Sequence, residues 1–69
     1  MRYYVCDYQT KRAVFGPFAN SWSATKWITS KPYVEQVKYC MMSRYMLAKE
    51  GIYPDNKAGT DAILKDLGQ

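Results

Sequence analysis

The chain contains no histidine. That absence removes imidazole from general acid–base catalysis, from Ser–His and Cys–His nucleophiles and from metal ligation. Only two cysteines occur, Cys6 and Cys40, far apart and in no C-x-x-C spacing. Neither a zinc pair nor a disulfide framework is therefore expected, and both read as free thiols filling small apolar sites. Gly16, Gly51, Gly59 and Gly68 are dispersed and make no phosphate-cradling loop. Asp55-Asn56-Lys57 lacks the ligand spacing of a calcium loop. No apolar run approaches the ~20 residues that a membrane span needs. Met1-Arg2-Tyr3-Tyr4 leads into strand-like sequence with no apolar leader region and no small-residue cleavage site. A site built from Asp, Lys and Tyr alone would need a shaped, dry pocket, for which 69 residues leave little room. The expectation is a cytoplasmic protein that is not an enzyme, with no cofactor, no metal and no membrane partner.

What is present argues for a folded chain. Hydrophobic residues make up 48% and aromatics 16% of the sequence, whereas disordered chains are poor in aromatics. The length suits a single small domain over residues 1–69, since a second would have no core. The net charge of +4 is unevenly spread. Up to Lys49 there are eight bases and two acids; from Glu50 onward, two bases face four acids. Such asymmetry points to an anionic partner for the body, to an acidic tail folded over it, or to ordinary solvated surface.

Residues 2–8 are rich in aromatic and β-branched types and read as a strand. After the polar turn Gln9-Thr10-Lys11-Arg12, Ala13-Val14-Phe15 reads as the returning strand, ended by Gly16-Pro17. Asn20 or Ser21 can cap a helix over residues 22–28, with Ala24, Trp27 and Ile28 on the face that packs on the hairpin. Trp22 falls on the polar face. Pro32 suits the first turn of a new helix. From there the spacing of Tyr33, Val34, Val37, Cys40, Met41 and Ala48 predicts one long helix over residues 33–50, interrupted by Arg44 and closed by Gly51. The rival reading makes residues 33–40 a third strand followed by a shorter helix. Thr60 then caps a short helix over residues 61–67, with Ile63, Leu64 and Leu67 as its apolar edge. The fold class is α+β: an N-terminal β-hairpin packed on helices, ββαα plus a short C-terminal helix, with ββαβα as the alternative.

Three features are candidate binding surface. Trp22 is either a lid over the hairpin or an exposed anchor. Tyr39, Met42 and Met46 form a second stripe on the long helix. That stripe is either covered by the C-terminal helix or free to grip a protein partner or a second copy as a homodimer. Arg2, Lys11, Arg12 and Lys26 around the tyrosine-rich hairpin suit a nucleic acid, held by phosphate pairing and base stacking, though weakly.

The pattern Tyr3-Tyr4-Val5-Cys6-Asp7, Val14-Phe15-Gly16-Pro17-Phe18 and Ala24 with Trp27-Ile28 resembles the opening of many small phage and prophage proteins. It covers about a third of the chain and implies no specific functional residue. The resemblance implies an accessory protein that binds and inhibits or modulates a larger host protein complex. Gly51-Ile52-Tyr53-Pro54 after a helix also resembles an excisionase-type DNA-binding core, but without that core's arginine-rich recognition helix.

Overall fold

The computed structural model describes residues 1–68. Strand β1 (Tyr3–Asp7) turns into β2 (Ala13–Phe18), followed by helix α1 (Ser21–Thr29), the one-turn helix α2 (Tyr33–Gln36), strand β3 (Tyr39–Ser43) and helices α3 (Arg44–Lys49) and α4 (Lys57–Asp66). The three strands form an antiparallel sheet in the order β2-β1-β3. The α+β class and the N-terminal hairpin are as the sequence indicates.

Because strand side chains alternate, β1 faces two layers. Tyr4 and Cys6, with their cross-strand partners Met42 and Cys40, point to the side of α3 and α4. There Tyr4, Cys6, Ala13, Met42, Leu47, Tyr53 and Ile63 form one buried cluster, with Leu67 packed against it. Val5, opposite Met41 and Phe15, points the other way. On that side α1 lies across all three strands and buries Ala24 completely. The apolar strand sequence thus follows from a sheet covered on both faces.

The long helix over residues 33–50 does not form. Its place is taken by α2, β3 and α3, so the alternative with a third strand is nearer the structure, displaced from residues 33–40 to Tyr39–Ser43. The apolar spacing fits a helix locally, but pairing with β1 gives β3 a full ladder and outweighs that propensity. Ser43 then starts α3, its hydroxyl accepting the Met46 N–H at 3.1 Å. At the C-terminal helix the cap is Asn56 rather than Thr60, with the Asn56 carboxamide oxygen accepting the Gly59 N–H at 3.0 Å. Strand β2 continues through Gly16-Pro17 to Phe18 because it is an edge strand, where a missing N–H costs no ladder bond. Gly16 has φ +139°, and a side chain there would press on the Tyr4 ring 3.0 Å away. Cys6 and Cys40, distant in sequence, are direct cross-strand partners, both as free thiols.

Candidate binding surface

The residues singled out in the sequence do not gather in one place. Trp22 stands on the outer side of α1, 68% exposed, with Lys26 Nζ 4.9 Å from its ring centre. It is no lid over the hairpin; Trp27 fills that role, stacking on Phe15 at 5.0 Å and meeting Tyr39 edge-on at 5.4 Å. Met42 is a core residue, 4% exposed, in the same cluster as Ile63. The stripe Tyr39-Met42-Met46 dissolves with the helix that carried it: Tyr39 and Met42 point to opposite faces of β3, and Met46 lies half-exposed on α3.

The four bases are also separated. Arg2 precedes β1, whereas Lys11 and Arg12 sit at its far end, roughly 16–17 Å away along a strand that rises about 3.3 Å per residue. Lys11 Nζ lies 4.2 Å above the Tyr8 ring. The Arg12 guanidinium grips Asp66 at 2.8 Å and lies 5.0 Å over the Tyr53 ring. This pair is where the acidic C-terminal part folds onto the basic hairpin. Arg12, its charge paired with Asp66, offers a bound phosphate little.

A different surface emerges at the hairpin-tip end of the sheet. Helix α2 is a single turn with no buried residue, entered through Pro32. Tyr33, Val34 and Val37, which the long-helix reading places together on one apolar face, are 77%, 68% and 56% exposed. Tyr8, 57% exposed, lines one recess with Val37, its backbone N–H donating to the Lys38 carbonyl at 2.9 Å. Between these segments lies a recess of about 310 Å³ lined by Asp7, Tyr8, Gln9, Val37 and Lys38. Lys38 leans toward Glu35 at 3.5 Å, and Lys31 lies over the Trp27 ring at 4.6 Å. The result is an apolar shelf fringed by lysines. The sequence does carry a signal for the strand that replaces the long helix: Val37, Tyr39 and Met41 alternate with period two.

Among the described residues, no group of three acidic, cysteine or histidine side chains could hold a metal, and no helix is long and apolar enough to cross a membrane. Comparison with protein-family models, with curated proteins and with solved structures finds no match.

Proposed function

We propose that this chain is a small non-enzymatic binding protein, of the phage accessory type, that docks on a larger host protein through the shelf of Tyr8, Tyr33, Val34 and Val37. One observation carries the reading: four large apolar side chains stand more than half exposed around a one-turn helix and a hairpin tip. Scattered exposed apolar residues are ordinary on a protein surface, but contiguous ones mark contact sites. Tyrosine adds a rigid ring with a polar tip, a type enriched at interfaces. Lys11, Lys31 and Lys38 around the shelf favour a partner whose apolar patch has an acidic rim. Trp22 is a second, separate anchor on α1.

Val34→Glu places a charge on the shelf at a side chain that is 68% exposed, on a helix with no buried residue. It is expected to abolish capture of the host partner while shifting unfolding free energy by no more than about 0.5 kcal/mol, the usual range for surface changes. Capture by wild type should survive nuclease treatment and moderate salt, since apolar burial supplies most of the energy. Capture that disappears with nuclease, with log affinity falling steeply against log salt, would instead mark a nucleic-acid partner.

A further inference from the structure

Arg2 and Arg44 stand opposite each other where β1 begins and β3 ends. The Arg44 N–H donates to the Arg2 carbonyl at 2.9 Å, which makes them a hydrogen-bonded register pair. Both arginines line a recess of about 350 Å³ whose other walls are Tyr4, Thr60 and Leu64. Two cationic side chains that line one recess repel each other, and an anion bound between them relieves the repulsion. Among the described residues the carboxylates in ion pairs serve Arg12, Lys38 and Lys57, and none serves Arg2 or Arg44.

The site is built rather than accidental. Arg44 is fixed by two backbone acceptors, the Tyr53 carbonyl at 3.4 Å and the Pro54 carbonyl, leaving further N–H donors free. Helix α4 makes room for that guanidinium with Gly59, where a Cβ would lie 2.8 Å from Arg44 Nη2. Tyr4 is only 4% exposed, and its hydroxyl bonds to no other described residue. Among the described residues no fully sealed side-chain oxygen lacks a partner, and Tyr4 is one of the walls of this recess. Thr60 brings a second hydroxyl from α4, and Leu64, 37% exposed, offers an apolar wall.

We propose that this recess binds a dianionic phosphoryl group carried by a phosphomonoester. Two guanidinium groups match its two negative charges, and their planar forks suit phosphate oxygens. The Tyr4 and Thr60 hydroxyls donate to the remaining oxygens, and the ester's organic part lies along Leu64. The site sits at the Tyr3–Ser43 end of the sheet, away from the α2 shelf, and stands independently of the docking function.

The test is a titration of the full 69-residue protein with phenyl phosphate at constant ionic strength, followed by amide and arginine side-chain NMR. Saturable shifts are expected at Arg2, Tyr4, Arg44, Thr60 and Leu64. They should strengthen as pH rises through about 6, where the phosphate takes its second charge. Arg2→Gln should weaken binding about tenfold, as loss of a charged hydrogen-bond donor does, without changing the melting temperature. Tyr4→Phe keeps the buried ring and removes only the donor, so it should weaken binding with the fold intact; Val34→Glu should leave binding unchanged. Shifts that are linear, that sodium chloride reproduces, or that Arg2→Gln leaves unaltered would overturn the site. Equal affinity for benzoate would overturn its phosphoryl character.

Discussion

At Gly59 a single added methyl group would lie 1.8 Å from the Pro54 carbonyl oxygen, so the loop before α4 closes onto a residue with no side chain. Gly59→Ala should therefore destabilise the fold by about 1–3 kcal/mol or more, the cost of overpacking, although alanine is the better helix former. Urea unfolding measures this, and an unchanged midpoint would mean that the loop has room to move. Two other residues make stability depend on alkaline pH. Burial first, then the neighbouring Cys40, pushes the Cys6 thiol from 9.0 up to about 12. Burial first, then its hydrogen bond to the Asp66 carboxylate, pushes the Tyr53 phenol from 10.0 up to about 12. Both are acids whose neutral form the fold prefers, so the unfolded chain loses these protons first as pH rises. Their contribution is whole below about pH 9 and is lost progressively toward about pH 12. The urea midpoint should fall across that window, less steeply in Cys6→Ala; a flat profile would contradict the buried thiol and phenol. In the sequence Cys6 reads as a core thiol and is one, but its pairing with Cys40 depends on strand register, which no local pattern encodes.

Elements with a strong local signal were legible. Asn20, whose carboxamide oxygen accepts the Ser23 N–H at 2.8 Å, starts α1 as a cap should, and the spacing of Ala24, Trp27 and Ile28 gives its inner face. The stretch from Tyr33 to Met46 was not legible, because Tyr33, Val34, Val37 and Cys40 satisfy a helical period while Val37, Tyr39 and Met41 satisfy a strand period. Only the pairing of β3 with β1 decides between them, and that contact is distant in sequence. Burial follows the strand: Met42 is covered by the C-terminal helix through Ile63, the covered alternative for that residue, while Tyr33, Val34 and Val37 of the expected apolar face stand exposed. A one-turn helix with no buried residue has little to hold it. Amide hydrogen exchange should accordingly be slowest in β1, which is paired on both edges, and fastest among the helices in α2. Protection in α2 equal to that in β1 would mean that something covers it.

As a whole the molecule is a three-stranded sheet between α1 on one face and α3 with α4 on the other, and its two ends differ in chemistry. The hairpin-tip end carries the apolar shelf, and the other end carries the paired arginines. The opposite charges of the two parts of the chain were readable from composition, and the Arg12–Asp66 pair is where they meet at 2.8 Å. The placement of both surfaces was not readable, since each is assembled from segments that only the sheet topology brings together. The shelf around α2 is where a partner protein is proposed to land. The most direct test is site-specific photo-crosslinking in host lysate, with a photoreactive phenylalanine analogue at Tyr33 in one sample and at Tyr45 in another. Tyr45, 61% exposed against 77% for Tyr33, is a well-exposed control on α3, a different element. One discrete protein adduct is expected from position 33, abolished by Val34→Glu, and none from position 45. Equal adducts from both positions, or an adduct from 33 that Val34→Glu leaves intact, would contradict it.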